Sequence, residues 1–409
     1  MLSAEDLGWL SDVSAMAQNW GVANIEQPPS AKVTIPVALL AAFVAYYLLA
    51  VVKKPKVVGG NGELRALYEQ HCPSLWESYW PTFWALNAHV SSIVRAFIQR
   101  HPPNISYERE LVELADGGVA SLDWVKEGNV LPPSAPVLLI LAGMSGSSEC
   151  AYIKHLALAG FSEDYRPVVF NQRGAGGVRM KTHRLFCCSK VDDLQTAIQH
   201  IRRRCPESKI IGVGVSLGGI QLIRYLHDTG DCSELSAVLT ISSAWSTHAT
   251  QKSIENSRVN IRYSHYLCGK VKTTLKSYLE QDGVSRRDLP FDVDKALRVT
   301  LMSEFDKVVT IPVFGYSCLD EYYTDATNSD KVVRIKRPLV CITATNDPFV
   351  PEDSLPYEAV ENTMVTLVVT AYGGHIGFLE GILPTRQMLT DRVCKEFLLA
   401  MKQYHLKVA

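Results

Sequence analysis

The stretch GVGVSLGG, residues 212–219, decides the fold. It follows the apolar run KIIGVG and precedes a segment whose apolar residues, from Ile220 onward, recur at helical spacing, which predicts a strand, a sharp turn and a helix. A dinucleotide-binding loop is excluded because it would require glycine at Leu217, and a P-loop is excluded because no Gly-Lys-Ser/Thr follows. The motif that fits is G-x-S-x-G, from Gly214 to Gly218, with Ser216 on the turn as the candidate nucleophile. Side chains at the two glycines would clash with the neighbouring strand and helix.

A serine nucleophile needs a general base and a carboxylate that orients it. In an open α/β sheet these groups lie in loops after later strands, in the order Ser, acid, His. Asp347 in CITATNDPFVP is the candidate acid, and His375 in the glycine-rich AYGGHIGFLEG is the candidate base. Glu352 and Asp353 are rival acids but lie further into the following loop.

The oxyanion of an acyl-transfer intermediate needs two backbone N–H donors. We expect one from Leu217, directly after the nucleophile, and the other from Met144 in the early loop LAGMSGSS, residues 141–148. Ser145 in this loop lacks the strand–turn–helix setting of a nucleophile.

The pattern of residues 107–409 predicts one α/β domain, the catalytic body. Residues 107–125 predict two strands joined by a turn, and short apolar runs typical of buried parallel strands follow at 136–143, 166–174, 209–216, 236–243, 338–347 and 364–375. Helical stretches separate several of them, so we expect a mainly parallel central sheet with helices on both faces. Residues from about 245 to 336 are helical in pattern and predict a cap that sets acyl-chain preference.

Twenty uncharged residues, 33–52, are long enough to cross a bilayer as one helix. The remaining alternatives are a buried core helix and, less compatible with the long acidic segment at 1–32, a signal peptide. Lys53, Lys54 and Lys56 follow the span and favour a cytosolic body. The Asn104 sequon would indicate the opposite side if glycosylated, so the sidedness stays open.

Residues 53–106 form a predicted membrane-proximal linker with helical character. Trp76, Trp80 and Trp84 recur there at helical spacing, although Pro81 must bend or restart any helix. Two interpretations remain: an aromatic surface resting on a bilayer, or a packing contact with the catalytic body.

Composition excludes several classes of protein. The 409 residues are 47% hydrophobic and 20% charged with a net charge of −1, which excludes global disorder and gives no basic face for nucleic acid. The chain has no C-x-x-C, no H-E-x-x-H and no dinucleotide loop, so we expect neither a metal nor an organic cofactor.

Eight motifs together resemble the AB hydrolase superfamily, AB hydrolase 4 family: LAGMSGSS, VVFNQRGAGG, FCCSKVDDL, GVGVSLGGI, EFDKVVT, GYSCLDEYYTDA, NDPFVP and YGGHIGFLEG. The resemblance spans roughly residues 55–409. The family that the chain resembles includes the animal membrane-anchored abhydrolase-domain phospholipases and the yeast medium-chain ester synthase/esterases. It implies an α/β-hydrolase fold with a Ser216–Asp347–His375 triad. Two departures are Ala142-Gly143, where many relatives have Pro-Gly or His-Gly, and Asn346-Asp347-Pro348, where relatives often have Asp-Asp-Pro.

The resemblance also implies hydrolysis of lipid acyl esters, either of phosphatidylcholine at the sn-1 position or of monoacylglycerols. Because relatives in this family are type II membrane proteins, the resemblance also implies a type II protein in an endomembrane such as the endoplasmic reticulum. An acyltransferase using the same triad and a non-catalytic receptor or scaffold that keeps the fold are the two alternatives.

Overall fold

The computed structural model describes residues 31–98, 104–126, 131–357, 362–384 and 387–408. It divides into two units, Met1–Val51 and Val52–Ala409. Of the predicted tail 1–32, all but the last two residues lie outside the described part of the chain.

The first unit contains helix α1, Ala31–Tyr46, which continues as a π-helical turn over Tyr47–Val51. Residues Lys32–Val51 have a mean hydropathy of 2.2, and in length and composition this segment could cross a membrane. The predicted helix at 33–52 is therefore present, whereas its insertion in a bilayer is a proposal taken up below.

A single sheet dominates the second unit. Its strands in the described residues are β1 Lys56–Gly59, β2 Tyr107–Glu113, β3 Val119–Val125, β4 Val137–Leu141, β5 Arg166–Asn171, β6 Ile210–Val215, β7 Leu235–Ile241, β8 Leu339–Ala344 and β9 Val365–Thr370. The order across the sheet is β1-β9-β8-β7-β6-β4-β5-β3-β2. Strands β5, β4, β6, β7, β8 and β9 run parallel, and β1, β3 and β2 pair antiparallel at the two edges.

Helices cover both faces of the sheet. The helices after α1 are α2 Glu63–His71, α3 Ala88–Ile93, α4 Ala151–Phe161, α5 Asp192–Arg204, α6 Leu217–Thr229, α7 Thr247–Glu255, α8 Ile261–Leu279, α9 Val293–Arg298, α10 Met302–Phe305, α11 Ile311–Phe314, α12 Leu319–Ala326 and α13 Leu389–Val408. Helices α2, α4 and α13 pack in one apolar core, and α5 and α6 in the core of the opposite face. Because both faces are covered, every residue of β4, β6, β8 and β9 is buried. The predicted α/β-hydrolase class is confirmed.

The helical insertion between β7 and β8 has a core of its own. Helices α7 to α12 fill it, and apolar side chains of α8, α9 and α10 pack together with Met180 and Leu185 from the loop before α5. A π-helical turn, Asp306–Thr310, joins α10 to α11. These helices lie within residues 245–336, the stretch for which the sequence predicts a cap.

The structure differs from the sequence interpretation in the segment 53–106. Strand β1 pairs with β9 from Lys56–Val369 to Gly59–Thr366, so this segment supplies an edge of the main sheet. A four-residue edge strand carries too short a pattern to be recognised in sequence. We therefore propose that the hydrolase body begins near Lys56 rather than at Tyr107.

The helical spacing of the three tryptophans does not correspond to a helix. Residues 76–87 are a loop, with Pro81 bridged to Glu380 in an isolated antiparallel pair. Trp80 and Trp84 are 50% and 44% exposed. These two rings are therefore not buried in a packing contact with the catalytic body, as one of the two interpretations expected.

Candidate active site

Ser216 lies on a strained turn between β6 and α6. Its backbone angles, φ 52° and ψ −116°, are rarely adopted by residues other than glycine. The turn fits only because the motif glycines are small. A Cβ at Gly218 would lie 2.5 Å from the Leu141 carbonyl oxygen, and one at Gly214 would lie 2.6 Å from the Gly218 carbonyl carbon.

Three side chains predicted from separate parts of the chain lie within hydrogen-bond distance. His375 Nε2 is 2.9 Å from Ser216 Oγ. On the other side of the ring, His375 Nδ1 is 3.1 Å and 3.0 Å from the two carboxylate oxygens of Asp347. The Asp347 side chain is fully buried and also accepts a 2.8 Å hydrogen bond from the Phe349 N–H. The rings of Phe349 and His375 lie 4.2 Å apart.

The rival acids lie elsewhere. Glu352 and Asp353 form a short 3₁₀ helix, Glu352–Ser354, and both are exposed. Asp347 is therefore the carboxylate that faces the imidazole.

This arrangement can support nucleophilic attack by the serine. With Nδ1 donating to Asp347, Nε2 is free to accept the hydroxyl proton of Ser216.

In the described part of the chain, no group of three or more His, Cys, Asp or Glu side chains could hold a metal ion.

The two expected oxyanion donors border the same cavity as Ser216. Leu217 and Met144 line it, and the Leu217 N–H belongs to the first residue of α6, where no intrahelical acceptor exists. The loop that carries Met144 lies against Ser216, since a Cβ at Gly143 would be 3.3 Å from Ser216 Cβ.

Tyr152 holds this loop in place. The Gly143 N–H donates to the Tyr152 hydroxyl at 3.2 Å, and the Gly146 N–H donates to the Gly143 carbonyl at 2.9 Å. Burial raises the pKa of Tyr152, so its hydroxyl stays neutral. These bonds constrain the loop at Ala142-Gly143 without a proline in it.

Sequence reasoning missed the groups that hold the histidine loop. The His375 N–H donates to Ser92 Oγ at 2.8 Å, the Ile376 N–H to Ser242 Oγ at 3.0 Å, and the Gly374 N–H to Asn346 Oδ1 at 2.8 Å. Ser92 lies 283 positions from His375 in the chain, on the segment predicted as a linker, and no local pattern singles it out.

We expect Ser92→Ala to lower kcat about tenfold, since loss of a hydrogen bond worth about 1.4 kcal/mol corresponds to that factor. The substitution removes the acceptor for the His375 N–H, so the imidazole is held less firmly toward Ser216. The measurement is kcat and KM on a small water-soluble ester, for which KM should change little.

Ser91→Ala is the matched control. Ser91 Oγ donates to the Ala88 carbonyl at 3.0 Å and more weakly to the Gly373 carbonyl at 3.4 Å, but it accepts nothing from His375. A kcat for Ser92→Ala equal to that of Ser91→Ala would contradict a positioning role for Ser92.

Ser216 and His375 line a cavity of about 290 Å³, which the helical insertion between β7 and β8 also borders. Apolar side chains from three parts of the body line it: Ile93 from α3, Ile220 from α6, and Ile254, Leu267 and Met302 from the cap helices. The volume is at the lower end of the range for small-molecule pockets, about 300–1,000 Å³.

Asp306 is a buried acid in the wall of this cavity. Its carboxylate accepts hydrogen bonds from Thr310 Oγ1 at 2.7 Å and from the Tyr323 hydroxyl at 3.2 Å. Burial nevertheless dominates and raises the pKa of Asp306 to about 6. The Asp306 carboxyl group therefore joins the π-helical turn to Tyr323 through hydrogen bonds and is costly to ionise.

Asp306→Asn should stabilise the folded protein more at pH 7.5 than at pH 4.5. The pKa of this carboxyl is raised from its ordinary 3.8 to about 6. The stability that the wild-type carboxyl contributes is therefore fully present below pH 3.8 and is lost as pH rises through about 6. The asparagine amide does not titrate, so the variant keeps its stability over this range and gains relative to the wild type at the higher pH. Thermal unfolding in detergent at the two pH values measures the effect. Asp282→Asn, at an exposed position, is the control; a pH-independent difference at Asp306 would contradict the prediction.

The chain is similar to known proteins over most of its length. Residues 132–380 match the Hydrolase_4 family model, described as serine aminopeptidase, S33. The matched region runs from just before β4 to beyond His375 and includes Ser216 and Asp347.

Individual proteins extend the similarity. Phospholipase ABHD3 of Mus musculus is 37% identical over 372 residues, which cover 89% of this chain and 88% of that protein. Monoacylglycerol lipase of Saccharomyces cerevisiae is 24% identical over 364 residues, covering 77% and 79% respectively. Among solved structures, the Pyrococcus furiosus esterase Pf2001 aligns with a TM-score of 0.47 and 16% identity over 73% of this chain and 91% of that one.

Proposed function

This chain belongs to the AB hydrolase family, and from that premise we propose that it is a membrane-anchored lipid ester hydrolase using a Ser216–His375–Asp347 triad. That it is an ester hydrolase follows from the family and its relatives. The observation that carries the catalytic assignment is the 2.9 Å contact between Ser216 Oγ and His375 Nε2 at the floor of an apolar cavity.

The proposed reaction is acyl transfer in two steps. His375 takes the hydroxyl proton as Ser216 attacks the ester carbonyl, and the Met144 and Leu217 amides stabilise the oxyanion. His375 returns the proton to the departing alcohol, leaving an acyl-serine. Water, deprotonated by His375, then attacks this ester, and His375 returns that proton to Ser216 Oγ as the bond to the acyl group breaks and the fatty acid is released. Asp347 holds the imidazole and stabilises its charged form throughout.

Phospholipids and monoacylglycerols are the substrate classes we propose. The names of relatives support both, since one is a phospholipase and another a monoacylglycerol lipase. The cavity volume of about 290 Å³ favours a single acyl chain of short or medium length over a complete diacyl lipid. Cleavage at the sn-1 position of phosphatidylcholine is the phospholipid reaction we propose.

Helix α1 is the proposed membrane anchor. Twenty residues at about 1.5 Å rise per residue span roughly 30 Å, the thickness of the hydrocarbon core. A signal sequence near the N-terminus would have the same apolar character, so retention of α1 in the membrane-bound protein is part of the test.

The test is product analysis on the full-length protein in detergent and in vesicles. Phosphatidylcholines with acyl chains of graded length and monoacylglycerols are supplied with and without a competing alcohol, and fatty acid, lysolipid and new esters are quantified. We expect fatty acid release, with a preference for shorter chains, and an intact N-terminal segment in the membrane-bound protein.

Two outcomes would overturn the proposal. New esters in place of fatty acid, at modest alcohol concentration, would identify an acyltransferase. A folded protein that turns over no ester and does not react with a fluorophosphonate would identify a non-catalytic scaffold.

A further inference from the structure

A set of exposed apolar side chains includes Ile93, which lines the active-site cavity. Two segments form it, residues 80–93 and residues 381–384. We call this surface the tryptophan rim; its main side chains, between 42% and 76% exposed, are Trp80, Phe83, Trp84, Ile93, Ile382 and Leu383. The exposure of several large apolar groups on one surface marks an interaction site.

Hydrogen bonds join the two segments of the rim. Trp84 Nε1 donates to the Ile382 carbonyl at 2.8 Å, and Thr82 Oγ1 donates to the Gly381 carbonyl at 2.9 Å. The Thr82 N–H also donates to the Leu379 carbonyl at 3.0 Å. The apolar side chains are therefore presented by a connected piece of backbone rather than by two independent loops.

The composition of the rim fits a lipid surface. Neither segment contains Asp, Glu, Lys or Arg. His89, its one titratable side chain, is hydrogen-bonded to the Tyr263 hydroxyl through Nδ1 at 2.9 Å. Tryptophan is enriched where apolar and aqueous phases meet, because the indole combines a large apolar face with a polar N–H.

The rim is continuous with the wall of the cavity. Ile93 belongs to both, and Ser92 and Ala96 from the same helical segment line the cavity beside His375. An acyl chain leaving a bilayer at the rim would therefore reach the Ser216 region along apolar side chains without crossing bulk water.

Chain connectivity gives a second, independent reason to choose a bilayer. The Tyr79 N–H, next to Trp80, donates to the Lys53 carbonyl at 2.9 Å. Lys53 is only two residues beyond the apolar segment that ends at Val51. The covalent link of two residues spans at most about 7 Å, so an anchor in this segment would tether Lys53 to the bilayer by that length of chain.

We propose that the tryptophan rim inserts into the interface of a lipid bilayer and passes the substrate acyl chain directly to the cavity. The inference rests on the proposed lipid ester hydrolase function, to which it adds the docking surface and the route of entry. The partner is the bilayer itself, with the rim side chains among the headgroups and upper acyl carbons.

The first experiment measures insertion without relying on activity. Full-length protein is reconstituted in phosphatidylcholine vesicles with brominated acyl chains, and tryptophan fluorescence quenching is recorded. We expect quenching in the wild type to fall substantially in a Trp80→Phe/Trp84→Phe double variant. Trp124→Phe, at a buried position in β3, is the control that should leave bromine quenching almost unchanged.

The second experiment separates docking from chemistry. A Trp80→Ser/Trp84→Ser variant should hydrolyse vesicle lipid about tenfold more slowly, because the apolar area that holds the rim in the bilayer is reduced. Its kcat on a water-soluble acetate ester should match the wild type. Leu111→Ser, a 61% exposed apolar position on the edge strand β2, is the matched control and should change neither rate.

Equal bromine quenching in the wild type and the Trp80→Phe/Trp84→Phe variant would overturn the proposal. So would equal loss of both hydrolytic rates in a folded serine variant, since the defect would then lie in the active site. If a second copy or another protein covers the rim instead of a bilayer, bromine should not quench the fluorescence of Trp80 and Trp84, and the proposal would likewise be overturned. If the wild type cleaves no lipid ester, the proposed function fails, and the quenching result still decides whether the rim enters the bilayer.

Discussion

Replacing Ser216 with alanine should lower kcat for lipid ester hydrolysis roughly 10⁶-fold, the scale found when the nucleophile of a serine hydrolase is removed. The alanine keeps the turn between β6 and α6 intact but has no oxygen to form the acyl-enzyme. His375 Nε2, 2.9 Å from the serine hydroxyl in the wild type, then has no nucleophile to activate.

The measurement is steady-state hydrolysis together with labelling by a fluorophosphonate probe. Wild-type protein should be labelled at Ser216, and the Ser216→Ala protein should not be labelled while remaining folded. Ser145→Ala is the control, because Ser145 lies in the loop beside the nucleophile yet has no histidine partner in the described structure. Persistent labelling of the Ser216→Ala protein would show that a residue other than Ser216 is the nucleophile.

Asp347→Asn should lower kcat roughly 10⁴-fold with little change in fold, because an amide holds the wrong histidine tautomer. The wild-type carboxylate lies 3.0 Å from His375 Nδ1 and leaves Nε2 free to accept the serine proton. An asparagine can instead donate to Nδ1, which puts the proton on Nε2 and prevents that nitrogen from acting as a base. The loss of imidazolium stabilisation adds to the effect.

Asp353→Asn is the matched control for the acid. Asp353 is exposed on the 3₁₀ helix after the Asp347 loop, and its replacement should leave kcat within about twofold of the wild type, as for most surface substitutions. Similar losses in both variants, or a loss only at Asp353, would reject Asp347 as the orienting carboxylate.

The local patterns in the sequence predicted the class of fold and the candidate triad residues. Strand β6, the turn at Ser216 and helix α6 are contiguous, so a change of apolar period on either side of G-x-S-x-G identifies all three. Asp347 and His375 follow buried strands that are as short and apolar as β6. The parallel sheet then brings the ends of such strands to one edge.

Other features depend on contacts between distant parts of the chain. Ser92 contacts the His375 backbone because a loop and short helix between β1 and β2 pack beside the histidine loop. Strand β1 is recognisable only through its pairing with β9. Neither position carries a periodic pattern long enough to mark its role.

The tryptophans show where sequence spacing was misleading. A four-residue interval between Trp76, Trp80 and Trp84 indicates one face of a helix, but Pro81 pairs with Glu380 and residues 76–87 form an irregular loop with turns. Exposure of Trp80 and Trp84 depends on which elements cover them, and spacing contains no information on that.

By itself, the sequence determined the strand series from β2 to β9, the strand–turn–helix unit around Ser216 and the apolar N-terminal segment, because each is encoded by neighbouring residues whose period and backbone preferences are local. Only the tertiary structure decided which serine supports His375, how Asp306 is buried and which aromatic rings face solvent. Those properties arise from packing between segments tens to hundreds of residues apart, where the environment of a side chain is set by its partners rather than by its neighbours in sequence.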